Sequence, residues 1–192
     1  MPNARSSENR SWLLAFSLQT AVVILECWSA GRTGSRALWS DFAHNANDVL
    51  LLILTALPTW QRGWRQPSLW VNIISLELSG LGAVLFGYRA LHQVGSPVDY
   101  EHAWPVAVVS LVANLTIYGI VRPYRHHPHV QVFGWHQLWD VAAALSAAIL
   151  LGAGSARPTL PLDAIATITI GCAMILHWPV TKLFERNNNH PH

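Results

Sequence analysis

Charged side chains are scarce in this sequence of 192 residues. Asp, Glu, Lys and Arg make up 11% of it, whereas a soluble globular domain carries about 25% charged residues. Hydrophobic residues make up 52% of the chain. Because so few charges cannot cover the surface of a soluble domain, the composition excludes an ordinary soluble protein and indicates an integral membrane protein.

Cysteine and net charge are also low. Cys27 and Cys172 both lie inside apolar segments, which favours two small buried side chains over a disulfide or a thiolate metal ligand. The formal net charge is only +2, and the basic residues are scattered between apolar runs. We therefore expect no nucleic-acid partner.

Six apolar runs, bounded by Arg, Gly and Pro, fill most of the chain. Each is close to the roughly 20 residues that cross a bilayer as a helix. Helices are favoured over barrel strands because backbone amides in hydrocarbon must be paired within the segment. The sequence therefore predicts an all-α, six-transmembrane-helix bundle over residues 1–186 and a disordered tail over 187–192. The expected spans are Trp12–Ala30, Leu38–Leu57, Leu69–Leu91, Ala103–Val121, Trp135–Ala153 and Leu160–Trp178, with Pro58 and Pro179 at helix ends.

The basic residues indicate how the bundle is oriented. The basic start before Trp12 resembles a signal peptide, but the five runs that follow favour a retained first span. An even number of spans puts both termini on one side, and eight of the 12 Lys and Arg fall on that side. Since cytoplasmic connections are enriched in Lys and Arg, we expect a cell (inner) membrane protein with both termini cytoplasmic.

The second and fifth spans share one pattern of metal-binding residue types. His44 precedes Asp48 by four residues, and His136 precedes Asp140 by four. Ionisable groups at the bilayer centre cost at least about 2.5 to 3.5 kcal/mol on insertion scales, so these are expected to face a cavity and to have a function. Residues i and i+4 share a helix face. If the two faces meet, two imidazoles and two carboxylates form a four-coordinate set that suits Zn²⁺.

The sequence around the first pair resembles the second-span signature of the cation diffusion facilitator family. The stretch from Gly34 to Asp48 places a Gly-Ser and an Ala-Leu before an Asp-x-x-His-x-x-x-Asp. Asn114 in the fourth span, the His/Asp pair in the fifth, and Leu162-Asp163 opening the sixth stand where that family has them. The resemblance covers Leu14 to Phe184, which is essentially all six spans.

This resemblance implies a transporter of the zinc type rather than an enzyme. It implies efflux of Zn²⁺ from the cytoplasm by Zn²⁺/H⁺ antiport, with Cd²⁺, Co²⁺ or another divalent metal left open as substrate. Its partners would be membrane lipid, the metal ion and protons as the counter-ion. The transport site that it implies consists of His44, Asp48, His136 and Asp140.

The sequence also departs from the family. Ala164 stands where Pro is usual, and Trp139 is bulky where a small residue is common. Most members continue into a cytosolic metal-binding domain that supports homodimerisation, whereas this sequence stops at His192. We therefore expect no C-terminal cytosolic domain, and a homodimer stays open.

Other polar residues leave alternatives open. Asp41 could be a proton relay, a hydrogen-bonding partner of the metal ligands, or the cap of its helix. For Glu26 and Glu77, hydrogen bonds between helices are favoured over a role in ion entry. The loop histidines His126, His127 and His129 could hold a metal loosely, but a solvated loop is favoured.

Two other functions compete with transport. Facing histidines in a bundle could be axial ligands of a haem in a membrane redox protein, through His44 and His136. The two aspartates beside them argue against an apolar haem pocket. The chain could also be a non-transporting metal-binding membrane partner of a larger transporter, although the complete His/Asp set argues against that role.

Overall fold

The computed structural model describes residues 4–56, 65–92, 98–124 and 128–188. In these residues the chain forms six long helices, with a short 3₁₀ turn at Arg122–Tyr124. The expected all-α fold is confirmed. The helices are α1 (Ala4–Thr33), α2 (Arg36–Ala56), α3 (Arg65–His92), α4 (Tyr100–Val121), α5 (Pro128–Ala156) and α6 (Leu162–Asn188).

Two expected helix ends differ from the structure. Helix α6 continues through Pro179 to Asn188, so the prediction that it ends at Pro179 is wrong. Membrane helices tolerate an interior proline because neighbouring groups can satisfy the freed backbone carbonyl. His129 lies in α5 rather than in a loop, because α5 already begins at Pro128, a residue type favoured at the first helical position. Pro58, His126, His127 and residues 189–192 lie outside the described residues.

Among the residues that the structure describes, four helical segments are long and apolar enough to cross a membrane. They are the segments Arg10–Thr33, Ile74–His92, Tyr100–Val121 and His136–Ala156, and the part of α6 with described side chains is an apolar helix over Leu162–Leu176. Helix α2 is not among them. Its central turns carry five buried polar side chains, Asp41, His44, Asn45, Asn47 and Asp48.

Small side chains bring the helices close together. Helix α3 packs most extensively on α6 and α4 on α5, while α1 contacts α2 and α4, and α2 also contacts α3, α5 and α6. Alanines dominate the buried apolar cluster, so the helix backbones approach closely. Many large apolar side chains lie instead on the outside, where they would contact lipid.

The two cysteines differ from the expectation that both are buried. Cys172 is exposed and Cys27 is half-buried, so that prediction is wrong. Both are free thiols.

Glycines form the contact between α3 and α6. A Cβ atom added at Gly171 would lie 2.6 Å from the carbonyl oxygen of Gly80, and one at Gly80 would lie 2.9 Å from that of Gly171. One at Gly87 would lie 2.9 Å from the carbonyl oxygen of Ala164. The two helices therefore meet backbone to backbone, and this contact leaves no room for side chains.

A buried carboxylate on α6 fixes the start of α2. Asp163 accepts hydrogen bonds from Ser35 Oγ at 2.6 Å, from the Arg36 amide at 3.0 Å and from the Ala37 amide at 3.1 Å. Ser35 Oγ in turn accepts from the Leu38 amide at 3.2 Å. Asp163 therefore satisfies helix-end amides that have no partner within α2 itself. Asp163 was expected at the start of the sixth span, but its role in capping the start of α2 was not predicted from the sequence.

Candidate metal site

The two His/Asp pairs meet between α2 and α5. His44 and Asp48 come from α2, His136 and Asp140 from α5, and all four side chains are buried. Nε2 of His44 lies 2.6 Å from Oδ1 of Asp140, and Nε2 of His136 hydrogen-bonds Oδ1 of Asp48. The two ring centroids are 5.5 Å apart. Each histidine is thus paired with the aspartate of the opposite helix.

The spacing of these atoms fits a four-coordinate metal ion. One candidate ligand atom from each of the four residues lies within 4.8 Å of all the others. Tetrahedral Zn²⁺ with ligands at about 2.0 to 2.2 Å places its ligand atoms about 3.3 to 3.6 Å apart. Around such an ion, the distance between the nitrogen and oxygen of each hydrogen-bonded pair would therefore lengthen by about 1 Å. The distance between the two most widely separated ligand atoms would shorten by about 1 Å.

Side-chain amides hold the outer oxygens of both aspartates. Gln137 Nε2 donates to Oδ2 of Asp140 at 2.5 Å, and Gln19 Nε2 lies 3.4 Å from Oδ2 of Asp48. The Oδ1 atom of each aspartate faces a histidine. Such outer hydrogen bonds orient a carboxylate ligand and fix which oxygen points at a metal.

A polar chain continues from the site to α1 and α4. Gln19 Nε2 also donates to Oδ1 of Asn45 at 2.9 Å, and Asn45 Nδ2 donates to both carboxylate oxygens of Glu26 at 2.8 Å. Ser110 Oγ on α4 donates to Glu26 Oε1 at 2.6 Å. All four of these side chains are buried. The acid on α1 is thus connected to Asp48 through two amide side chains.

The other acidic residues considered in the sequence, Asp41, Glu26 and Glu77, lie in different environments. Asp41 lies in the second turn of α2 and is buried, so the option that it caps this helix is wrong. Its Oδ2 lies 3.4 Å from Ser110 Oγ. The expectation that Glu26 bonds between helices is confirmed by its contacts with α2 and α4. Glu77, by contrast, is exposed on α3, and no hydrogen bond joins it to another described side chain.

The sequence analysis missed the amides and the hydroxyl that support the site. These side chains are Gln19, Asn45, Ser110 and Gln137. One signal was available, because Gln19 and Glu26 are seven residues apart in an apolar run and so share one face of α1. Asn114 on α4 is buried as well, and its amide has no hydrogen-bond partner among the described side chains.

Comparison with known families gives a decisive match. A family model described as the cation efflux transmembrane domain matches residues 12–178. The chain belongs to this family. The family expected from the sequence is therefore confirmed, and the match supports an integral membrane protein that transports divalent cations. A search of curated proteins finds no matching sequence.

The family match bears on the competing functions. The buried His/Asp cluster lies inside the matched region, as a site for a transported cation requires. A haem-binding redox protein is not favoured, because two buried carboxylates lie directly against the two imidazoles.

Proposed function

We propose that this cation efflux domain exports Zn²⁺ from the cytoplasm in exchange for protons, and that His44, Asp48, His136 and Asp140 bind the transported ion. One observation carries the proposal. These four buried side chains from α2 and α5 offer ligand atoms within 4.8 Å of one another.

The donor types support zinc over the hard cations. The site offers two imidazole nitrogens and two carboxylate oxygens. Mg²⁺ and Ca²⁺ prefer six or more oxygen ligands, whereas Zn²⁺ takes four nitrogen and oxygen ligands in a tetrahedron. Cd²⁺ and Co²⁺ could also be carried, because imidazole and carboxylate bind several divalent transition metals.

The charge of the site supports exchange with protons. Two neutral imidazoles and two ionised carboxylates carry a net charge of −2, which one Zn²⁺ neutralises. Without a metal, two bare carboxylates buried between α2 and α5 would be costly, so protons must replace the lost positive charge. Metal binding in turn requires deprotonated ligands and releases protons. Competition of this kind is sufficient for antiport.

The direction of transport follows from the proposed orientation. Six helices return the chain to the side on which it started, so we place both termini in the cytoplasm of a cell (inner) membrane, where Lys and Arg are enriched. An inward proton gradient then protonates the site when it opens to the outside and displaces Zn²⁺ there.

The test uses purified protein in liposomes. We expect the unaltered chain to take up Zn²⁺, and Asp48→Ala and His136→Ala each to abolish uptake, because loss of one ligand opens the coordination shell and leaves buried partners uncompensated. Glu77→Gln is the control, since this exposed residue lies on α3, outside the site. Equal insertion of all variants is checked by size-exclusion chromatography. Near-normal uptake by Asp48→Ala or His136→Ala would refute the assigned site.

A further inference from the structure

Two buried acids approach a single hydroxyl beside the metal site. Glu26 on α1, Asp41 on α2 and Ser110 on α4 are each at most 1% exposed. Ser110 Oγ lies 2.6 Å from Oε1 of Glu26 and 3.4 Å from Oδ2 of Asp41. Neither acid is one of the four proposed ligands. Three helices thus bring two carboxyl groups to one side chain.

The described residues offer these carboxyl groups no Lys or Arg partner. None of the Lys and Arg side chains that the structure describes is buried. The titratable groups nearby are His44 and Asp48 on α2 and His136 and Asp140 on α5, and each of these histidines is already paired with an aspartate. On α4 the buried polar neighbours are the uncharged Ser110 and Asn114. Two ionised acids here would face each other in a medium of low dielectric constant.

The number of hydrogen atoms available to these groups also indicates that one of the two acids carries a proton. The Ser110 hydroxyl has one hydrogen to donate, and the short distance gives it to Glu26. The contact with Asp41 is then a hydrogen bond only if Asp41 itself carries a proton and donates it to Ser110 Oγ. If the hydroxyl turns towards Asp41 instead, Glu26 must carry the proton. In either arrangement, the three groups are satisfied together by one extra proton.

We propose that Glu26, Ser110 and Asp41 form a proton-binding site, in which the two carboxyl groups share one proton through the hydroxyl, and that Zn²⁺ binding expels this proton. The proposal rests on the proposed zinc site. It adds a place for the counter-ion that is separate from the metal ligands themselves.

Two connections link this proton to the metal. Asp41 lies one helical turn before His44, so the two share a face of α2. Glu26 reaches Asp48 through Asn45 and Gln19. A divalent ion between α2 and α5 favours the ionised form of nearby acids. Binding of the ion is therefore expected to weaken the hold of Glu26 and Asp41 on the shared proton.

The experiment counts the protons that Zn²⁺ releases. Zn²⁺ is titrated calorimetrically into the purified full chain in detergent, at one pH, in two buffers with different heats of ionisation. The difference in heat gives the number of protons released per bound ion. Glu26→Gln keeps the shape and hydrogen-bonding capacity of the side chain but cannot hold the proton. Glu77→Gln makes the same chemical change at an exposed position of α3 and is the matched control.

We expect Glu26→Gln to bind Zn²⁺ and to release about one proton fewer than the unaltered chain, with Glu77→Gln unchanged. Asp41→Asn should show the same deficit and serves if Glu26→Gln does not fold. Infrared difference spectra give a second readout, because the carbonyl stretch of a protonated carboxyl should vanish on adding Zn²⁺ and be weaker from the start in both variants. If a folded variant binds Zn²⁺ and releases the full number of protons, the proton site is refuted. If the unaltered chain fails to bind Zn²⁺, the zinc site itself is wrong.

Discussion

Replacing Asp163 should loosen the attachment of α2 to α6. Its Oδ1 accepts from Ser35 Oγ and the Ala37 amide, and its Oδ2 accepts from the Arg36 amide. A hydrogen bond to a charged group contributes about 1.5 to 3 kcal/mol, and a buried amide without a partner costs about 1 to 3 kcal/mol. Since the Arg36 amide is only partly buried, we take the lower values for the three bonds. Asp163→Ala should then lower the free energy of unfolding by about 4 kcal/mol.

Asp163→Asn distinguishes the contributions of the two carboxylate oxygens to stability. The amide oxygen can still accept from Ser35 and Ala37, but an NH₂ group would replace Oδ2 and face the Arg36 amide, which is also a donor. The expected loss is about 1 to 2 kcal/mol, clearly less than for Asp163→Ala. Ser155→Ala is the control, because that exposed hydroxyl on α5 donates to the Gly152 carbonyl within its own helix.

The assay is equilibrium unfolding in mixed micelles, followed by circular dichroism as the fraction of denaturing detergent rises. The expected order of stability is unaltered chain and Ser155→Ala together, then Asp163→Asn, then Asp163→Ala. If Asp163→Asn lost as much as Asp163→Ala, charge alone would explain the effect and the assignment of bonds to the two oxygens would be wrong. If neither variant changed the midpoint, Asp163 would not hold the start of α2.

Three further predictions concern coupling, orientation of the ligands and helix packing. Inside-out vesicles with an acidic lumen should accumulate Zn²⁺, because protons displace the ion on the luminal side. An uncoupler should abolish this accumulation. Accumulation that survives the uncoupler would exclude proton coupling. Gln137→Ala should weaken Zn²⁺ binding about 10- to 100-fold, since Asp140 loses its outer donor, and an unchanged affinity in calorimetry would contradict that role. Gly171→Leu should destabilise the bundle far more than Gly152→Leu. A Cβ added at Gly171 would meet the Gly80 carbonyl, whereas one added at Gly152 would meet nothing within 4 Å. Equal unfolding midpoints of the two variants would refute a close α3–α6 contact.

The sequence predicts best what depends on local spacing. A histidine and an aspartate four residues apart share a helix face in any helix, so each half of the candidate metal site can be predicted from the sequence. That the two halves face each other depends on how α2 and α5 pack, and no local rule specifies this. The family resemblance supplied that step before the structure placed Asp140 beside His44.

The features that were missed depend on contacts between distant segments or on the lipid environment. Asp163 caps a helix that begins more than a hundred residues earlier, and capping rules consider only neighbours in the chain. The prediction for Cys172 followed a rule for soluble proteins, in which apolar surroundings mean a buried side chain. In a membrane bundle the apolar face can point to lipid, so an apolar neighbourhood does not separate inside from outside.

The contacts of α2 explain how a bound ion could control the bundle. Helix α2 is fixed to α6 at its start by Asp163, and to α1 in its middle by the bonds of Asn45. Among the residues that the structure describes, it meets α5 over a short stretch, and the bonds of His44 and His136 lie within this stretch. In this described part of the two helices, the contact between α2 and α5 is therefore centred on the four groups that would bind the ion. Under the proposed function, exchange of Zn²⁺ for protons would change the charge and spacing of these groups directly, so the occupant of the site would determine how strongly α2 and α5 are held together.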